Sequence, residues 1–127
     1  MPLHHFFIYT VPEKFEETAA WYLKALAPLN YVEIMRVPGK VAMGADSVPE
    51  FWVGTKEDVG KEGTHFAFKA KDQEAVQAFH AAGVAAGGKC NGAPGPRPQY
   101  SSTYYAAFVL DPVGNNVESV CFTTADK

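Results

Sequence analysis

Two extended apolar runs, Leu3 to Tyr9 and Thr64 to Ala70, each introduce the same succession of a helix and shorter strands. The first has the aromatic and β-branched content of a strand, and Pro12 with Glu13 then offers a helix start. Phe15, Ala19, Tyr22 and Leu26 recur at helical spacing, and Pro28 marks the end of that helix. Beyond it, Tyr31 to Val37, Val41 to Met43 and Glu50 to Val53 read as three short strands, the first two joined by a Pro38-Gly39 turn. The second run repeats the order. Asp72 is placed to cap a helix with Glu74 in its first turn, Val76, Phe79, His80 and Gly83 share one face, and Gly87-Gly88 ends it. A short segment, Lys89 to Asn91, leads into a Pro-rich loop, Ala93 to Thr103. Tyr104 to Leu110 and Asn116 to Phe122 then form a hairpin around Asp111-Pro112-Val113-Gly114-Asn115.

A pattern met twice predicts two βαβββ units, module one over 1–54 and module two over 63–124. The polar stretch Gly54 to Gly63 is too short to separate independent domains, so 1–127 is expected to form one α+β domain with a shared core. Alternation assigns the faces. Phe6 and Ile8, and likewise Phe66, Phe68 and Ala70, pack under the helices, which leaves His5, Phe7 and Tyr9, and His65, Ala67 and Lys69, on the opposite side. On the last strand Glu118, Val120 and Phe122 share a face, with Val117, Ser119 and Cys121 behind them.

Composition narrows the function classes. Of 127 residues 47% are hydrophobic and 13% aromatic, ample for a packed core and against disorder. The net charge is −3 and the eleven Lys and Arg are scattered, so no basic stripe is available to track a phosphate backbone and nucleic acid is not an expected partner. No apolar run approaches the ~20 residues that span a bilayer, and the N-terminus lacks a secretory pattern, which points to a soluble, cytoplasmic protein. Cys90 and Cys121 form no CxxC pair and are expected to be reduced, buried and structural.

The chemistry-bearing residues fall on the repeat. His5 and His65 occupy matching positions of the two modules, and Glu118 lies on the last strand among Val117 and Val120, where a buried carboxylate needs a partner. Two imidazoles and one carboxylate from separate strands suit a divalent transition metal with open positions for substrate. His4 and His80 take the ordinary reading of a surface or core histidine.

The paired modules, the two strand histidines and the segment Tyr105-Ala106-Ala107-Phe108-Val109-Leu110-Asp111-Pro112-Val113-Gly114-Asn115-Asn116-Val117-Glu118 together resemble the vicinal oxygen chelate superfamily, which includes glyoxalase I, extradiol dioxygenases and bleomycin resistance proteins. The resemblance implies two βαβββ modules forming a U-shaped, mostly antiparallel sheet around a cleft. It also implies one divalent metal ion (Zn, Ni, Mn or Fe) held by His5, His65 and Glu118, and a homodimer in which modules of both chains complete the sheets. A fourth ligand in the glyoxalase I pattern is a glutamate on the fourth strand. Here that strand reads Pro49-Glu50-Phe51-Trp52-Val53-Gly54, with Trp52 nearest the ligand position, and Glu50 stands either as a further ligand or as a strand-end surface residue.

Aromatic residues complete the expected cleft. If Asp111 pairs with Asn116 across the turn, Tyr105 shares the face of Glu118 and becomes a candidate proton donor or substrate contact, while Tyr104 points to the other side. Phe7, Tyr9, Trp52, Arg97, Tyr100 and Phe122 would line the substrate pocket, or else simply fill the space between two sheets. Two functions from different classes are open to such a chain. One is a metal-dependent enzyme acting on a small oxygen-bearing metabolite, a glyoxalase-like lyase or isomerase or a ring-cleaving dioxygenase, with Glu118 and Tyr105 catalytic. The other is a metal-free small-molecule binding or sequestration protein resembling bleomycin resistance proteins.

Overall fold

The computed structural model of the chain describes residues 3–59 and 63–122; residues 60–62 of the inter-module stretch and the end of module two beyond Phe122 lie outside them. In each half a strand, a helix and three strands succeed one another. Module one contains β1 (Phe6–Thr10), α1 (Phe15–Ala25), β2 (Val32–Val37), β3 (Lys40–Gly44) and β4 (Phe51–Thr55). Module two contains β5 (His65–Lys69), α2 (Gln73–Ala85), β6 (Lys89–Pro96), β7 (Tyr104–Leu110) and β8 (Asn116–Phe122).

The modules form two open four-stranded sheets with the same connectivity, β1-β4-β3-β2 and β5-β8-β7-β6. The first strand of each pairs parallel to the last, and the other pairings are antiparallel. A parallel pair requires a crossover, and α1 and α2 begin those crossovers. Asp72 caps α2 by accepting the Ala75 amide at 2.8 Å, whereas α1 starts from a Pro-led 3-10 turn with no side-chain cap. Gly87, at a φ of +108°, ends α2 in a backbone region that L side chains rarely adopt.

Strand parity is the expected one on the helix side. Ile8, Phe68 and Ala70 are buried there, and Phe6 meets Phe66 across the boundary between the sheets at 5.2 Å between ring centroids. Phe51 joins the same group of rings, and Tyr22 of α1 packs on Phe51 at 4.8 Å. One core therefore draws on both modules. Two buried hydrogen bonds fasten α1 to module two. Trp21 Nε1 donates to the Gly83 carbonyl at 2.9 Å, and Tyr22 Oη donates to Asp111 Oδ2 at 2.5 Å. Gly83 permits the first: a Cβ there would stand 3.3 Å from the Trp21 ring and 3.4 Å from a Val109 methyl.

Two expectations change. The Pro-rich loop begins later than expected, because Ala93 to Pro96 continue β6 alongside β7 with register shifts between Cys90 and Gly92 and between Gly92 and Gly95. Only one side of this outer strand pairs, so Pro94 and Pro96, which lack an N–H, are tolerated. Cys90 is exposed on that same strand, against expectation, while Cys121 is buried as expected, and no disulfide joins the two.

Candidate functional site

The turn after β7 organises the site. Asp111 Oδ1 accepts the amides of Val113 and Asn115, and its Oδ2 accepts from Asn115 Nδ2 and Tyr22 Oη. The Asn115 side chain in turn accepts the Thr64 amide at 2.8 Å, and the Asn116 amide donates to the Thr64 carbonyl. The motif Asp-Pro-Val-Gly-Asn thus pins the residue immediately before His65. From there the His65 ring reaches two partners: Nδ1 lies 2.9 Å from the Asn116 carbonyl and Nε2 lies 3.1 Å from Glu118 Oε1.

A carbonyl only accepts, so His65 Nδ1 carries a proton, and this bond turns the other ring nitrogen, Nε2, toward the carboxylate. The opposite carboxylate oxygen, Glu118 Oε2, accepts a 2.5 Å hydrogen bond from Tyr104 Oη. Glu118 is buried and His65 half exposed, so one side of the pair is fixed and the other is open. Burial, followed by the bond to Glu118, pushes the Tyr104 hydroxyl up to about 12, which keeps it a proton donor at neutral pH. Phe108 lies beneath the His65 ring at 6.1 Å, and Arg97 lies over Phe108 at 5.4 Å.

Tyr105 is thereby corrected. The ladder pairs Leu110 with Asn116 and Tyr104 with Phe122, one residue away from the expected register, so Tyr105 faces α2, where its hydroxyl accepts from Gln77 Nε2 at 2.8 Å. The cause lies in the turn. Asp111 and Asn115 close it, the Asp111 amide donating to the Asn115 carbonyl at 3.0 Å, and neither residue is left to start the ladder. The signal for Tyr104 was the polar pair at both ends of Asp111 to Asn115, which marks both residues as part of the turn.

The remaining predicted residues fall into two groups. Tyr100 and Phe122 surround Tyr104, with centroids at 5.0 Å and 5.3 Å, so they share the module-two face with Glu118. Arg97 spends its guanidinium on the Ala93, Gly95 and Pro96 carbonyls and clasps its own loop. Phe7, Tyr9 and Trp52 lie on the module-one face as a ladder of near-parallel rings, Phe7 stacking on Trp52 at 5.2 Å and on Tyr9 at 5.6 Å. Lys56 sits over Tyr9 at 4.2 Å and Lys40 over Phe7 at 5.9 Å.

His5 is exposed, with its Nδ1 2.8 Å from that of His4. The two line a cleft of about 360 Å³ together with Glu50, Lys69 and Tyr31, and Tyr31 Oη donates to Glu50 Oε1 at 2.9 Å. Among the described residues, His5 does not join His65 and Glu118, and no group of three or more His, Cys, Asp and Glu side chains is arranged to hold a metal ion. Register explains why the two modules differ. Matching the helix-facing Phe6 with Phe66 makes His5 the counterpart of His65, and the ladder partners Phe7↔Trp52 and Ala67↔Glu118 make Trp52 the counterpart of Glu118. Module one has no carboxylate at that position.

Two side chains of module two, His65 and Glu118, have the spacing of two donors that could share a divalent ion. Two donors bonded at about 2.1 Å and at right angles are about 3 Å apart, close to the observed 3.1 Å between His65 Nε2 and Glu118 Oε1. The hydrogen bonds from His65 Nδ1 to a carbonyl and from Tyr104 to Glu118 are the outer contacts that orient such ligands.

Solved structures with this fold include glyoxalase/bleomycin resistance/dioxygenase family proteins. A glyoxalase/bleomycin resistance protein from Albidiferax ferrireducens T118 is similar at 25% identity and a TM-score of 0.76, over 92% of this chain and 95% of that one. A family enzyme of the glyoxalase/bleomycin resistance protein/dioxygenase group from Burkholderia phytofirmans PsJN matches at 18% identity and 0.74, over 96% and 99%. A lactoylglutathione lyase from Agrobacterium tumefaciens matches at 18% and 0.66, over 92% and 90%. No family model and no curated protein matches the sequence. The architecture of two βαβββ modules is that of the vicinal oxygen chelate superfamily.

Proposed function

We propose that the chain is a metal-dependent enzyme acting on a small oxygen-bearing metabolite, with a site completed when two chains pair. The observation that carries this reading is the His65–Glu118 pair, 3.1 Å apart, with the imidazole proton held on Nδ1 by the Asn116 carbonyl. His65 and Glu118 would hold a divalent ion, and His5 from the second chain would supply a third donor. The division of donors between modules supports the dimer: His5 and the His65–Glu118 pair lie on different modules, and His5 and His65 are both exposed.

The ion would supply a positive charge for vicinal oxygens of the substrate. The chain's own residues do the rest. Tyr104 fixes the outer carboxylate oxygen of Glu118 and keeps its own proton at neutral pH. The exposed side of His65 gives a substrate access to the pair, with Phe108 beneath the ring. Lyase or isomerase chemistry and ring cleavage are both compatible with this donor set.

A second reading, a metal-free protein that binds or sequesters a small molecule, rests on the ladder Trp52–Phe7–Tyr9 with Lys40 and Lys56 at its edge, a surface suited to a flat ligand carrying negative charge. Elemental analysis separates the two. The intact protein should take up about one divalent ion per chain, and His65→Ala or Glu118→Gln should abolish uptake. In addition, His5→Ala and His65→Ala chains, each unable to bind alone, should regain metal on mixing, because half of the sites in the mixed dimer are intact. Failure of the intact protein to take up any of Zn, Ni, Mn or Fe would leave the binding reading. Uptake without recovery on mixing would place the whole site in one chain.

A further inference from the structure

The helix-covered face of module two carries a second pair of reactive groups, remote from His65 and Glu118 on the other face. Cys90 of β6 pairs in register with Val109 of β7, whose methyls meet Gly83 of α2, so Cys90 lies beneath the helix. There His80 Nε2 stands 3.1 Å from Cys90 Sγ. Because β6 is the outermost strand of its sheet, the thiol is also open to solvent. A sulfur that is at once accessible and in contact with an imidazole nitrogen differs from the other thiol, Cys121, which is 1% exposed.

We propose that Cys90 and His80 form a modification site at which small hydroperoxides oxidise the thiol with the imidazole as proton carrier. Burial lowers the His80 pKa, so the ring is neutral at physiological pH and Nε2 accepts the S–H hydrogen bond. The thiol proton passes to Nε2 as sulfur attacks the terminal peroxide oxygen. The O–O bond breaks, an S–O bond forms, and the alkoxide or hydroxide that leaves takes the proton from His80. Sulfur is oxidised by two electrons and the peroxide is reduced, so thiol and hydroperoxide become sulfenic acid and alcohol or water. The imidazole raises reactivity by taking the thiol proton as the S–O bond forms.

The test uses the full-length protein with iodoacetamide and hydrogen peroxide as probes. Native Cys90 should be alkylated at neutral pH about tenfold faster than in His80→Gln. Peroxide and then dimedone should label Cys90 and leave Cys121 unlabelled. Cys90→Ser should remove both signals. A reference that needs no variant is the wild-type chain in urea, where the thiol is fully accessible but the imidazole is no longer placed, and native Cys90 should react faster than it does there. Equal rates in the native and unfolded chains, or in wild type and a folded His80→Gln, would overturn the proposal.

Discussion

The two modules share one backbone plan and differ in what their open faces carry. Module one places Trp52, Phe7 and Tyr9 in a stack, while module two places Glu118, His65 and Tyr104 in a chain of polar contacts. At equivalent ladder positions an indole stands opposite a carboxylate. On the helix-facing side the match is close, Phe6 meeting Phe66 and both lying beside Phe51. Packing demands residues of one kind on that side, because the two modules fill a common core there. The open faces are free of that demand and have become specialised. One half offers apolar area and positive charge at its rim, the other a fixed carboxylate with an orientable imidazole.

The modules are unequal in a second way. Module two contributes the buried acceptor Asp111, and module one contributes the donor Tyr22 that reaches it from α1. The largest expected loss of stability comes from removing the acceptor. Asp111→Ala leaves Tyr22 Oη, two backbone amides and Asn115 Nδ2 without their partner, and should cost about 3 kcal/mol in chemical denaturation. Tyr22→Phe removes one donor of four and should cost about 1.5 kcal/mol. A double-mutant cycle on Tyr22 and Asp111 would show coupling between them, whereas simple additivity would mean that the module-two turn holds without the helix.

Converting one face into the other is the next step down in size. Trp52→Glu places a carboxylate at the counterpart of Glu118 and removes the ring that stacks on Phe7, with an expected cost of about 2 kcal/mol. If the modules are chemically equivalent scaffolds, the variant should retain a divalent ion more tightly in competition with a chelator. Unchanged retention would mean that module one's difference extends beyond that one residue. The helices provide a smaller contrast. Asp72→Ala should cost about 1 kcal/mol, since α2 depends on its side-chain cap and α1 has none to lose.

Much of this division is legible in the sequence. Periodicity places the strands and helices, and parity places His5, His65 and Glu118 on the faces away from the helices, because alternate side chains on a half-buried strand cannot exchange sides without a change of register. The departure at Trp52 is equally visible, since it requires only counting along two similar strands. What cannot be read is where separate elements meet. The distance from His5 to His65 depends on how two sheets sit against one another, which the Phe6–Phe66 contact and the helix bonds of Trp21 and Tyr22 decide. The exposure of Cys90 depends on β6 being the outermost strand. The identity of the tyrosine beside Glu118 depends on a single residue of hairpin register, set by how Asp111 and Asn115 close the turn.

That register has the smallest expected energetic signature and a clear spectroscopic one. Tyr104→Phe should cost about 0.5–1 kcal/mol, and Tyr105→Phe less than about 0.5 kcal/mol, because Gln77 is exposed and water replaces its bond. The Tyr104 hydroxyl is raised from an ordinary value of 10.0 to about 12 in the folded chain, so the native state holds this proton more tightly than the unfolded one. Its contribution to stability is complete below about pH 10 and is lost as pH rises through about 12. Tyr22 and Tyr31 are raised in the same direction by burial and by Asp111 and Glu50, so the wild-type titration monitored by tyrosinate absorbance should contain several late components. Tyr104→Phe should remove the one near 12, and Tyr105→Phe should leave it in place. Loss of that component in Tyr105→Phe instead would restore the pairing of Asp111 with Asn116 and put Tyr105 on the face of Glu118.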